Sequence, residues 1–439
     1  MTPLALAGLM FGSLIVLLIL GMPVSFILGG LATIFAVIFL GPQSLTLISS
    51  QVYGNMDNFV LIAIPLFIFM GNLLQNSSIA EEVFDMMYKW LGGIKGGLAV
   101  GTVIVCTIFA ALTGAAATAT VSMGLIALPA MLKRGYNKKL AIGCIAAGGT
   151  LGVLIPPSVL MVIYGLFASE SIGKLFAGGV MAGMVMSALF CAYIIVASYV
   201  KKDLAPSIPK DERPTWKERF ISLKGIIFPV LLIVGVLGSI FAGIATATEG
   251  ASIGALGSLI CIILKKQLNR KMLQECCVST IRLTAMVVWI MFGSSAFAAL
   301  FTSVGAVEAV RQMVTSLPVS PYLVLIFIMA ILYVMGMFID PGAIIMLTVP
   351  IFLPIAKTFG FDPTWFAILF IVNMMTGYVT PPFGFNLFYM KAVVPKGTTM
   401  GEIYIAVVPF VLLMIVTLVL CVIFPQIIMY VPNKLFPPL

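Results

Sequence analysis

The sequence predicts an all-α polytopic membrane protein made of two inverted-topology repeats, with about ten transmembrane spans and two re-entrant helical hairpins. Three observations carry this prediction. Of 439 residues, 62% are hydrophobic and 9% charged, whereas globular domains carry roughly a quarter charged residues. Apolar runs of about 20 residues, each enough to cross a bilayer, recur along the chain. They are continuous rather than alternating, which favours helices over a β-barrel. Finally, conspicuous residues recur at a constant offset of 225: Gly29 with Gly254, Pro129 with Pro354, Gly135 with Gly360, Gly152 with Gly377, Pro156-Pro157 with Pro381-Pro382, and Tyr164 with Tyr389.

Taken in order, the first repeat (1–200) offers spans near 4–21, 24–41, 59–76, 140–168 and 175–200. The amino terminus lacks a basic start and a cleavage site, so it reads as a span and not a signal peptide. The segment 201–224 mixes Pro, Lys, Arg, Asp and Glu as a solvated linker does. The second repeat (225–439) offers spans near 226–244, 249–264, 279–300, 365–391 and 402–428. Between the third and fourth span of each repeat lie two short apolar pieces meeting at a break, over 96–132 and 321–356. Each piece is about 16 residues, short for a crossing at about 1.5 Å per residue, so both pairs read as re-entrant hairpins. Before each hairpin comes an amphipathic stretch, Ile79–Leu91 and Gly305–Leu317. Either is too polar to span, and each reads as an interface helix or a plain connector.

A repeat of five spans is odd, so the second copy must enter the membrane upside down. The charges agree. Fifteen of the 24 Lys and Arg fall in three loops, Lys133–Lys139, Lys201–Lys224 and Lys265–Lys271. With these spans all three loops share one side, which the positive-inside rule makes cytoplasmic. The termini then lie on the periplasmic or external face. The excess of basic charge, +9, therefore sets orientation and is no nucleic-acid surface. The chain has no histidine, which excludes His-based triads, HExxH proteases and histidine zinc sites. Its seven cysteines are scattered and form no disulfide framework. There is no Walker A loop and no pair of membrane-level aspartates, so neither an ATPase nor an intramembrane aspartyl protease is expected.

Inverted repeats place a substrate site at the midplane, between helices broken inside the membrane. The sequence marks four breaks: the turns Thr113-Gly114-Ala115-Ala116 and Asp340-Pro341-Gly342, and the double prolines Pro156-Pro157 and Pro381-Pro382 inside long spans. A double proline removes two backbone donors and frees carbonyls one turn earlier. In lipid, bare carbonyls must face protein, water or an ion. Pairing a hairpin turn with a broken span gives an oxygen-rich cage suited to a hard cation, most simply Na⁺, with two or more ions per cycle. The expected ion ligands are Thr113, Gly114, Ala115, Gly152, Ile155 and Pro156 in the first cage. In the second they are Asp340, Gly342, Thr376, Gly377, Val379 and Thr380. Half-helix N-termini facing the same point suit an anion, with substrate contacts expected from Thr118, Ser158, Asp340, Thr348, Thr380 and Asn386. The plainer alternatives are that Pro and Gly only kink helices, that Thr118, Thr120 and Ser122 only satisfy helix carbonyls, and that Asp340 only caps a helix. Glu249 reads as a cap and Arg282 as a snorkelling residue.

PLFIFMGNLL (Pro65–Leu74), GYNKKLAIGCIAAGGTLGVLIPPSVLMVIYG (Gly135–Gly165), ATEG (Ala247–Gly250), GMFIDPGAIIMLTVPIFLPI (Gly336–Ile355) and GYVTPPFG (Gly377–Gly384) together resemble the large membrane subunit of tripartite ATP-independent periplasmic (TRAP) transporters. The resemblance covers almost the whole chain. It implies an elevator-type, Na⁺-coupled importer of organic anions and no enzyme, set in the bacterial inner membrane. It also implies two partners, a small four-helix membrane subunit and a periplasmic substrate-binding protein. Sialic acid, C4-dicarboxylates, 2-oxo acids and small sulfonates all occur as substrates in the family. At the first hairpin turn many members carry Ser-Gly-Ser; this chain has Thr113-Gly114-Ala115 and an alanine at 119, so its first ion site leans on carbonyls, Thr113 or Thr118. The alternatives are a self-sufficient Na⁺/dicarboxylate symporter of related architecture and a membrane subunit of a sodium-pumping enzyme complex.

Overall fold

The computed structural model describes residues 2–201, 203–316 and 318–437. Lys202 in the linker, Leu317 at the end of the second interface stretch, and residues 1, 438 and 439 at the outer bounds of the repeats lie outside the described residues. The first repeat folds into α1 (Pro3–Ile19), α2 (Val24–Leu40), α3 (Leu45–Met56), α4 (Ala63–Gln75), α5 (Ile79–Leu91), α6 (Gly97–Thr113), α7 (Ala116–Lys133), α8 (Lys138–Leu154), α9 (Val159–Ala168) and α10 (Ile172–Val200). The linker holds α11 (Trp216–Ser222). The second repeat begins with α12 (Lys224–Ile233), joined through a π turn to α13 (Ser239–Phe241). It continues with α14 (Ala247–Leu264), α15 (Arg270–Ser303), α16 (Ala306–Thr315), α17 (Pro321–Phe338), α18 (Pro341–Thr358), α19 (Pro363–Tyr378), α20 (Phe385–Val393), α21 (Met400–Ile423) and α22 (Gln426–Leu435). Among the described residues there is no strand.

Adding 225 to the bounds of α6, α7, α8 and α9 lands within a residue of α17, α18, α19 and α20. Two contacts fix their relative direction. Lys138, at the start of α8, pairs with Glu402 at the start of α21, 2.9 Å apart. Trp365, at the start of α19, donates its indole N–H to the Cys421 carbonyl near the end of α21, 3.0 Å away. The two contacts are 19 residues apart on α21, so roughly 28 Å separates the starts of α8 and α19. The repeats therefore run in opposite directions.

The arms α6 and α7 form a true hairpin. Its two ends meet where the Leu98 N–H donates to the Tyr136 hydroxyl, 3.1 Å. Its turn lies against Pro157, about 25 Å along from Lys138 and about 15 Å short of the end of α9. The second hairpin likewise closes its open end with Tyr322 against Phe361, ring centroids 6.0 Å apart, and its turn reaches the break between α19 and α20, where the Gly384 N–H donates to the Met337 carbonyl. The arms are 17 or 18 residues long, longer than expected. Length and apolarity alone would count α7, α17 and α18 as spans; the position of the turns is what returns each to its own side.

Three expectations need correction. The span at 59–76 is preceded by α3, and the two meet at a 58° bend; the matching stretch of the second repeat is the single 34-residue α15, well beyond 279–300. Gly54 and Asn58 lie at the bend, and Asn58 caps the turn that leads into α4; the counterpart positions on α15 are Ser279 and Leu283, inside one unbroken helix. The span at 402–428 ends at Ile423, and Pro425 begins the amphipathic α22. The linker is partly structured: the Leu204 and Ala205 carbonyls accept from Asn137 and Gly96 N–H groups, and the Trp90 indole donates to the Arg219 carbonyl.

Two bodies result. The inner one is built on α8 and α19, which are buried on every side from Leu140 to Leu154 and from Thr364 to Tyr378, as apolar helices at the centre of a bundle are. The outer frame comprises α1–α5 and α12–α16 and presents apolar side chains such as Ile19, Ile244 and Ile281 outward. Its α2 packs on α15, and α14 on α4, so the repeats embrace each other.

Candidate functional site

Pro156 and Pro157 have no N–H to give, so the carbonyls of Gly152 and Val153 lose their helical partners. The Ser158 hydroxyl restores one by donating to the Val153 carbonyl, 2.6 Å, while Ser158 also caps α9. Into this break comes the first turn. Gly114 is left-handed at φ +63°, and a methyl there would stand 2.4 Å from the Pro157 carbonyl oxygen. A methyl on Gly152 would lie 3.0 Å from the Ala115 carbonyl oxygen. Thr113, Gly114, Ala115, Gly152 and the double proline are thus brought together. The Ile155 side chain turns away onto Gly183, leaving only its main chain at the break. The Thr113 hydroxyl donates to Phe109, 2.9 Å, and Thr118 faces Gln75 of the outer frame at 3.4 Å.

The second break closes more tightly on itself. The Thr376 carbonyl accepts from the Thr380 hydroxyl at 2.6 Å and from the Val379 N–H at 3.3 Å, and the Gly377 carbonyl from the Thr380 N–H at 3.0 Å. These oxygens offer an ion only their remaining lone-pair capacity. The Tyr333 hydroxyl also lies 3.2 Å from that of Thr380. Asp340 caps α18, its Oδ1 accepting from the Gly342 N–H at 2.9 Å, and puts a carboxylate at the second turn. The Thr376 and Thr348 hydroxyls donate back along their own helices, to Val372 at 2.9 Å and Ile344 at 2.8 Å.

Asn386 is the clearest departure from the expected substrate contacts. Its amide N–H₂ donates to the Ala146 carbonyl at 2.7 Å, and its Oδ1 accepts from the Thr120 hydroxyl at 2.9 Å. Fully buried, it braces α20 of one repeat against α7 and α8 of the other. Sequence reading singled out both residues and could not see that they pair. It also missed Tyr333, Gln75 and Gly71; only Gly71, a glycine inside a helical run, carried a local signal.

Two cavities lie beside this centre, one within the frame and one where the bodies meet. One, of about 730 Å³, is lined by Gln75, Ser77, Ser78, Lys266, Lys271 and Met272 among others. The other, of about 370 Å³, lies between Gln51, Asn55, Ser295 and Thr302 of the frame and Phe167 and Pro350 of the inner body. Ser77, Ser78 and Met272 of the first match Thr302, Ser303 and Leu47 of the second at the offset of 225. The two cavities thus share three repeat-related positions.

A broken helix and a hairpin turn, doubled and inverted, is an arrangement for passing a solute and not for cutting one. Residues 11–427 match the model of the DctM component of the tripartite ATP-independent periplasmic transporters. The chain belongs to this family. It is 31% identical over 407 residues to the C4-dicarboxylate TRAP transporter large permease protein of Pseudomonas aeruginosa, covering 92% of this chain and 94% of that one. To the sialic acid TRAP transporter large permease protein of Vibrio cholerae it is 31% identical over 434 residues, 98% of either chain. The fold is similar to that of the Alcanivorax borkumensis YdaH transporter, with a TM-score of 0.68 at 12% identity, over 95% of this chain and 99% of that one. The chain is therefore a TRAP large permease, a membrane-embedded transporter subunit and not an enzyme.

Proposed function

We propose that this TRAP permease is the large subunit of a Na⁺-coupled importer of organic anions in the bacterial inner membrane. It takes substrate from a periplasmic binding protein, and a small four-helix subunit enlarges its frame. The linker 201–224 is cytoplasmic and both termini are periplasmic. Na⁺ is a co-substrate held by carbonyl oxygens at the two turn-and-break cages, with the Asp340 carboxylate at the second. An organic anion binds between them, at the positive ends of the half-helices starting at Ala116, Val159, Pro341 and Phe385.

One observation supports an elevator in particular. On the frame, Gly71 of α4 meets the very turn of the first hairpin, at Thr113. Its repeat mate on α15, Ala296, instead lies beside Gly29 of α2, in a cluster that also holds Leu347 and Ile351 of α18. Leu347 lies six residues beyond the start of α18, about 9 Å from the second turn. We read the inner body as off-centre, toward the end carrying the basic loops. Exchanging the roles of the two repeats would carry it about 9 Å the other way.

Uptake into proteoliposomes tests the reading. Accumulation of an acid such as sialic acid or succinate should need both an inward Na⁺ gradient and the cognate binding protein. Full uptake driven by a pH gradient in Na⁺-free buffer would refute Na⁺ coupling, and uptake without the binding protein would favour a self-sufficient symporter.

A further inference from the structure

We propose that Gly71 is a positioning residue, the seat on the frame against which the first hairpin turn docks to define one end of the transport stroke. The inference rests on the moving-body reading above. A Cβ built on Gly71 would lie 2.8 Å from the Thr113 carbonyl oxygen and 3.3 Å from its Cα, both rigid backbone atoms. Neither side can yield easily. Met70, the preceding residue, is 1% exposed and fits against Gly254 of α14. Asn72, the following one, donates to the Thr280 hydroxyl of α15 at 3.0 Å. The chain around Gly71 is thus pinned to the second repeat from both sides. Behind the turn, Gly114 already abuts the Pro157 carbonyl. Frame glycine, hairpin turn and proline break form three layers with no room for a methyl. At the repeat-equivalent position stands Ala296, which has that methyl and is buried beside Gly29 of α2, with no hairpin turn against it. The small residue occurs on the side where a turn is docked.

A methyl at position 71 must hold the inner body away from this seat while leaving the frame and the cages chemically unchanged. Gly71→Ala should therefore disfavour the docked state and slow uptake roughly tenfold, with Gly71→Val lower still. The decisive readout is docking itself. With the seven native cysteines replaced, Gln75→Cys and Thr118→Cys place two thiols across the docked contact, and a short thiol-to-thiol crosslinker reports its occupancy. High yield with Gly71 and a several-fold lower yield with Gly71→Ala, in protein that elutes as the same monodisperse species, is the expected result. Equal yields in the two backgrounds would overturn the seat. No crosslink even with Gly71 present would instead overturn the displaced-body reading on which the seat depends.

Discussion

The two hairpin turns occupy equivalent places in their repeats and are made by different chemistry. The first reverses the chain through Gly114 in the left-handed region, followed by extended Ala115. The second reverses it through extended Ile339, at φ −122°, and lets the Asp340 side chain cap the next helix. The first turn thus offers backbone oxygens and no charge, while the second holds a carboxylate. Duplication fixed the architecture; the side chains at the turns then diverged. An inverted pair need not hold two equal ion sites.

The largest effect expected from this contrast comes at the turns. Gly114→Val places a β-branched residue at positive φ and drives its Cβ into the Pro157 carbonyl. Uptake should fall on the order of a hundredfold. Ile339→Val, its repeat equivalent, should stay within about twofold because extended backbone suits valine. Initial uptake rates normalised to inserted protein decide this. Equal losses at both sites would erase the distinction between the turns.

The double prolines come next. Pro156-Pro157→Ala-Ala and Pro381-Pro382→Ala-Ala supply N–H donors and let the helices close over their carbonyls. Na⁺-dependent uptake should fall about tenfold or more in both. The first should suffer more, since its cage has no carboxylate to fall back on. Unchanged Na⁺ dependence in both variants would reduce the prolines to kinks.

Asp340 separates its own two roles. Asp340→Asn retains a capping side chain, whereas Asp340→Ala loses about 1 kcal/mol of helix stability. If the carboxylate also serves an ion, both variants should raise the Na⁺ concentration for half-maximal uptake several-fold while only Ala lowers thermal stability. An Asn variant with unchanged Na⁺ dependence would leave capping as the sole role.

The smallest contrast lies in the amphipathic helices. Glu82 of α5 pairs with Lys265 on the frame and accepts from Ser78 at 2.6 Å, with the Lys265 side chain 12% exposed. Glu308 of α16 pairs with Arg311 and accepts from Gln312, both on its own helix, and these bonds hold its carboxyl below the ordinary range while the ion pair stays at the surface. Glu82→Gln should destabilise by about 1–3 kcal/mol by leaving the mostly buried Lys265 without its partner, and Glu308→Gln by less than about 0.5 kcal/mol. Thermal unfolding in one detergent measures both.

Much of this arrangement was legible from the 225-residue offset, because Pro and Gly at breaks are dictated by backbone chemistry and survive the divergence of side chains. The charge asymmetry was legible for the same reason: it answers to the bilayer and not to a neighbour. The bend between α3 and α4 was not, since its partner α15 is one continuous helix and the repeat misleads there. Nor were the pairing of Asn386 with Thr120, 266 residues apart, and the contact of Gly71 with Thr113. Both depend on which helix of one repeat faces the other, and no local pattern carries that.

The displaced inner body is the claim from which most of this follows, and a distance measurement tests it most directly. Spin labels at Leu256 on α14 of the frame and Leu125 on α7 of the inner body, both on exposed apolar positions, report the position of one body against the other in lipid. The account predicts at least two distance populations whose balance changes with Na⁺ and substrate, consistent with travel of about 9 Å along the membrane normal. A single distance, unchanged by either ligand in protein that transports at full rate, would contradict it.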